Sequence, residues 1–188
     1  MIHLMRGFLK GGGFFIIFIL LLVLWVSSNS LAEMIPTTTI RVRVVSKDSK
    51  VIGSGVGGAL VRIKNMETGA ILAQGIQEGG TGDTDRIMIQ PRRRGEIIYG
   101  TGGAAYFQAD LALAHPTQVE IYTEAPLKYP QAIQKGSKTL TLIPGMSILG
   151  EGVIIELDGL IVNILEPSPK EAQRREREVT VRAEVRML

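Results

Sequence analysis

From Thr37 onward, hydrophobic side chains recur at every second position. Ile40, Val42 and Val44 alternate with Arg41 and Arg43, a period of two that places the apolar residues on one face of a strand and the arginines toward solvent. The segment 59–65 repeats the device with Ala59, Val61 and Ile63, and Glu67-Thr68-Gly69 then reads as a tight turn into a strand at 71–76. Further strands are expected at 86–90 (stopped by Pro91), 105–113, 118–123 and 138–143, the last closed by the turn dipeptide Pro144-Gly145. Alanine and leucine also make 105–113 compatible with a helix, but the alternation of Phe107, Ala109, Leu111 and Leu113 with Gln108, Asp110 and Ala112 favours a strand. Asp158-Gly159 between two β-branched runs, 153–157 and 160–165, predicts a two-residue hairpin. The end of the chain alternates again, with Val179, Val181, Ala183, Val185 and Met187 as its inward set. Its Val/Arg pattern matches that of the first strand, so the two are expected to pair and their arginines to guard an exposed sheet edge.

The N-terminus has a different grammar. Arg6 and Lys10 precede a wholly apolar run from Phe14 to Val26, followed by polar residues and then Leu31-Ala32-Glu33. A basic start, an apolar core and small residues at a cleavage point form the order of a secretory signal. As a helix the run rises about 20 Å, short of the ~30 Å hydrocarbon core. The reading is a signal peptide over residues 1–32 cut between Ala32 and Glu33, or the same segment left uncleaved as a membrane anchor. Residues 37–166 then form the β domain, 167–178 a charged linker, and 179–188 a C-terminal strand returning to the domain. The expected fold class is all-β, a β-sandwich preceded by an N-terminal signal or anchor helix. The expected location is the periplasm or the exterior, or the periplasmic face of the inner membrane if the anchor is retained.

Charge and composition narrow the chemistry. Of 188 residues, 21 are Lys or Arg and 18 are Asp or Glu; without Arg6 and Lys10 the balance falls from +3 to +1, so bulk charge gives no support for a nucleic-acid partner. The membrane is implicated only through residues 1–32. Absence of cysteine removes disulfides, thiolate metal sites and a cysteine nucleophile. His115 is the one histidine beyond the leader; no Gly-x-Ser-x-Gly elbow accompanies it, and it reads as a turn residue. Asp83 and Asp85, beside Thr81 and Thr84, offer oxygen ligands for Ca²⁺ but lack the spacing and acidic count of a calcium loop, and turn-forming side chains explain them better. Gly79–Gly82 and Gly100–Gly103 lack the lysine and following helix of a phosphate cradle. No cofactor is expected.

The sharpest charge cluster is Arg92-Arg93-Arg94, three guanidiniums able to grip a carboxylate, a phosphate or an anionic lipid or glycan, or simply a solvated loop. Tyr122 and Tyr129, with Pro126 and Pro130, offer a surface patch or loop packing.

The stretch from Gly57 to Ala73, with Gly82-Asp83-Thr84-Asp85-Arg86-Ile87 further on, resembles the start of a carboxypeptidase regulatory-like domain, the transthyretin-like (prealbumin-like) sandwich of exported bacterial proteins. In that family a Gly-rich loop, an alternating strand, a Thr-Gly turn and a later Thr-Asp turn follow in this order. Arg86 stands where the family has a glycine after Thr-Asp, and the likeness covers about 35 residues. It implies a seven-stranded, transthyretin-like/Ig-like β-sandwich serving as a structural or interaction module, with a protein or envelope glycan as partner; any further strands would be foreign to the family. The several histidines of the hydrolase branch of transthyretin-like proteins are missing. The functional expectation is an exported non-catalytic module working through loops at 79–85, 91–104 and 125–137; the alternative is a metal-handling accessory or enzyme that gathers Asp83, Asp85 and His115.

Overall fold

Nine strands account for about half of the described residues, and the alternation places nearly all of them. A computed structural model describes residues 35–47, 50–167 and 178–187. The strands are β1 (Thr37–Ser46), β2 (Ala59–Asn65), β3 (Ile71–Gln77), β4 (Phe107–Ala112), β5 (Thr117–Ala125), β6 (Gln134–Leu142), β7 (Ile148–Leu157), β8 (Leu160–Glu166) and β9 (Arg182–Met187), with one short helix, α1 (Thr84–Met88). They form a three-stranded sheet β4-β1-β7, a four-stranded sheet β3-β2-β5-β6 and a two-stranded ribbon β8-β9. The signal or anchor expected over residues 1–32, and nearly all of the 167–178 linker, lie outside the described residues. Among the described residues no helix is long and apolar enough to cross a membrane.

One hydrophobic cluster joins the two larger sheets. Ile40, Val42 and Val44 of β1, with Val153, Ile155 and Leu157 of β7, share it with Val61 and Ile63 of β2 and Val119 and Ile121 of β5. These are the alternate residues of each strand, so the period of two becomes an inner face directly. Each such side chain taken fully out of water contributes about 1.5–3 kcal/mol. The β2–β3 turn follows from Asn65, whose side-chain oxygen accepts from the Glu67 and Thr68 amides at 2.8 and 3.0 Å, while Gly69 takes φ +74°.

Several expectations are corrected. Residues 86–90 belong to α1 and its end rather than a strand: the Asp83 carboxylate caps the helix by accepting from the Arg86 amide at 3.1 Å, and Ile87 is buried. Local capping outweighs an apolar triplet too short to alternate. The first and last strands do not pair. β1 is the centre of its sheet, antiparallel to β4 and parallel to β7, while β9 pairs with β8. The arginines of β1 therefore guard no edge. Asp158-Gly159 makes no β7–β8 hairpin either; Gly159 lacks the positive φ that the turn demands, and the chain passes from one sheet to the ribbon. The side chain of Gln134 binds this crossing, accepting from the Asp158 amide at 2.7 Å and donating to the Asp158 carbonyl at 3.2 Å.

β7 also begins earlier than expected. Ile40 pairs with Ile148 but Val42 with Val153, so residues 149–152 bulge out of the ladder. Gly150 and Gly152, at φ +67° and +74°, make the bulge possible and turn Glu151 away from β1.

Candidate functional site

The topology sorts the loops between two ends of the sheets. Because β1 and β7 run parallel and every other pairing within the two larger sheets is antiparallel, the β1–β2, β3–β4 and β5–β6 connections share one end, and the β2–β3, β4–β5 and β6–β7 connections share the other. The loops expected to carry function, 79–85, 91–104 and 125–137, therefore do gather. A 3-10 turn at Ser54–Val56 ties them: the Ser54 amide donates to the Gly79 carbonyl at 2.9 Å, and the Lys128 amide to the Val56 carbonyl at 3.0 Å.

The β3–β4 connection dominates this end. It folds across the outer face of β4-β1-β7, where Ile87, Tyr99, Ala104 and Ala105 form a second cluster with Val45 and Val51, and Ile154 packs against it. This is why the second half of β1 is buried on both faces. Glu151, aimed outward by the bulge, accepts from the Ile98 and Tyr99 amides and anchors the loop.

Arg43, expected to face solvent, is covered by this arrangement and only 2% exposed. Its guanidinium donates to the Gly150 and Glu151 carbonyls and lies 5.6 Å from the Tyr106 ring centroid. Desolvation, with Arg41 nearby, pulls its pKa below the ordinary arginine value. Arg41 stacks on Tyr106 at 4.3 Å and donates to Gln108 at 2.9 Å.

The arginine triplet divides. Arg92 is a brace: it donates to the Ile87 carbonyl at 3.2 Å and sits 5.9 Å from the Tyr99 ring centroid. Glu96 closes the turn beyond it, accepting from the Arg93 amide at 3.2 Å and pairing with Arg86 at 2.7 Å. Those two donors, the Arg93 amide first, hold the Glu96 carboxyl below its usual pKa. The guanidiniums of Arg93 and Arg94 are exposed and make no hydrogen bond or ion pair with another described residue. Met88, Ile89 and Ile97 stand exposed on the same loop.

The tyrosines are elsewhere. Tyr122, on the outer face of the four-stranded sheet, donates to Glu124 at 2.7 Å, and that carboxylate pushes its phenol pKa up. Tyr129 packs against the core and lines a cavity of about 90 Å³ with Gln131, Ile161, Asn163, Glu184 and Arg186. Tyr122 and the arginines thus lie over opposite sheets.

Asp83, Asp85 and His115 are not brought together. Asp83 caps α1 and Asp85 accepts from Gln90 at 3.0 Å, both before β4, whereas His115 follows β4 at the other end of the sheets. The His115 carbonyl accepts from the Thr117 hydroxyl at 2.9 Å, a turn contact. No group of three or more His, Cys, Asp or Glu side chains able to hold a metal ion occurs among the described residues.

The C-terminal ribbon holds the feature least expected from the sequence. The residues assigned to an inward face are outward: Val179, Val181, Ala183, Val185 and Met187 are all exposed. Cross-strand pairs Leu160–Met187, Val162–Val185 and Ile164–Ala183 make one wholly apolar face, while Ile161, Asn163, Glu184 and Arg186 turn toward Tyr129 and Gln131.

No protein family, curated protein or solved structure matches the chain.

Proposed function

We propose that this is an exported, non-catalytic β-sandwich of the transthyretin-like or Ig-like class, serving as a structural or interaction module of the bacterial cell envelope. Two sheets of three and four strands around one cluster are consistent with the seven-stranded sandwich that the resemblance implies. The partner is a protein or envelope glycan carrying carboxylates, met by the β3–β4 loop.

The observation that carries the reading is the contrast within the arginine triplet. Arg92, Glu96 and Glu151 fix the loop against the sheet, and Arg93 and Arg94 are exposed on it with no side-chain partner among the described residues. A rigid mount lowers the ordering cost of binding, and two adjacent guanidiniums suit planar anions. Binding loops on a rigid β scaffold are a common division of labour.

The test is a pull-down from envelope extract with wild type and Arg93→Ala/Arg94→Ala, leaving the Arg92 brace intact. Wild type should retain a partner that the variant loses, and raised salt should weaken the wild-type capture. Equal recoveries would remove this loop from the function.

A further inference from the structure

We propose that the outward face of the β8–β9 ribbon is a self-association surface, through which two copies of this chain pack face to face. The face is inverted relative to ordinary amphipathic ribbons. Its body-facing side buries Ile161 in the core but otherwise sets Asn163, Glu184 and Arg186 around the cavity with Tyr129 and Gln131, while its wholly apolar side meets solvent. Leu160, Val162, Ile164, Val185 and Met187 remain between 51% and 63% exposed, and no charged side chain interrupts them.

Three observations select a second copy as occupant. The first is area. With Ala183 the five residues present roughly 500–600 Å² of contiguous apolar surface, at the upper end of what monomers tolerate. Doubled across a two-fold axis, that is on the order of 1,000–1,200 Å², the lower edge of specific interfaces; Val179 and Val181 continue the same alternation and extend it. The second is chemistry. An uncharged, apolar sheet face has its complement in another copy of itself, packed about 10 Å away, and a two-fold interface needs only one self-complementary patch. The third is charge. The ribbon's own cations are engaged, Arg182 by Glu166 at 2.7 Å and Arg186 by Glu184 at 2.6 Å, which leaves neither free for an anionic lipid or protein surface. The β8–β9 connection cannot supply a cover, since 168–177 contains only Ala172 and Pro169 as apolar residues.

This surface is separate from the arginine loop, so either assignment can fail alone. The experiment places a photo-crosslinking amino acid at Val162 in the full chain, expressed with its own leader as two differently tagged copies in one cell. An adduct containing both tags is expected, and the same probe at Gln118 on the outer face of β5 should give none. Val162→Lys/Val185→Lys chains probed at Leu160 should lose the adduct, and co-expression with Val162→Glu/Val185→Glu chains should restore it. Because these positions are solvent-exposed in the single chain, unchanged circular dichroism is expected of both variants. An adduct only with lipid, only with another protein or only within one chain would overturn self-association, as would a two-tag adduct that survives the lysine variant with its fold intact.

Discussion

Gln77, fully buried at the end of β3, bridges the two large sheets through one amide. β4 stops pairing with β1 at Val42–Phe107, which leaves the backbone of Val44 without a strand partner on that side. The Gln77 side chain takes that place: its oxygen accepts from the Val44 amide at 2.7 Å, and its nitrogen donates to the Val44 and Ile52 carbonyls at 2.9 and 2.8 Å. In Gln77→Leu the Val44 carbonyl keeps the Ile52 amide at 3.0 Å, but the Val44 N–H and the Ile52 carbonyl are orphaned in the core. Each orphan costs ~1–3 kcal/mol, so the expected loss is about 2–5 kcal/mol after the gain from the leucine. Urea unfolding followed by far-UV circular dichroism reads this as a midpoint drop of roughly 1–3 M at an unchanged slope. Gln77→Glu should lose more at neutral pH, because a carboxylate would face two carbonyls. Burial raises that carboxyl's folded pKa, so the variant is at its best below the ordinary glutamate value of about 4.3 and weakens as pH rises toward the folded value. A Gln77→Leu loss below about 0.5 kcal/mol would refute the claim that this amide completes the β1 ladder.

Glu151→Ala should free the Ile98 and Tyr99 amides and open the arginine loop without global unfolding. Amide exchange at 98 and 99 should rise about 10–100-fold for an anchor worth ~1.4–2.8 kcal/mol, and unchanged exchange would count against the bulge as anchor. Gly58→Ala combines φ +70° with a Cβ driven into the Gln77 carbonyl and should cost more than ~2 kcal/mol by the same urea assay, whereas Gly55→Ala, with open space around it, should cost far less. The depressed Glu96 carboxyl stabilises the loop fully above the unfolded pKa of about 4.3 and loses that contribution as pH falls through its lower folded value. Carboxyl NMR should find Glu96 titrating below the ordinary glutamate value, and Arg86→Gln should raise it only part of the way, because the Arg93 amide remains.

The alternation announced the core directly: Ile40, Val42, Val44, Val61, Ile63, Val119 and Ile121 are the residues that bury, and β2 begins and ends where its pattern does. Pairing was less visible, because period two says which face a residue takes and nothing about its neighbour strand. Asp158-Gly159 carries the right turn chemistry, but the Gln134 amide and the register of β7 on β1 hold the chain in a crossing instead. At the loop end, Asp83 was visible as a turn former but not as a helix cap, and Arg92 did not differ on paper from Arg93 and Arg94. Only the position of Ile87 and Tyr99 separates a brace from free guanidiniums. Glu151 carried a legible signal, a charge between two glycines inside an apolar run. The C-terminal strand keeps the alternation its sequence shows but turns the opposite face outward, since a repeat of two has no marker for which face meets the body.

The parallel union of β1 with β7 sets a timetable for synthesis. Val44 finds Ile155 more than a hundred positions later in the chain, so the first strand to emerge waits for one of the last. Long-range pairing of this kind is intrinsically slow and leaves early strands exposed to aggregation. Arg41 and Arg43, set between Ile40, Val42 and Val44, interrupt the apolar run with charge as gatekeeper residues do, and burial of Arg43 under the returning bulge marks the end of that interval.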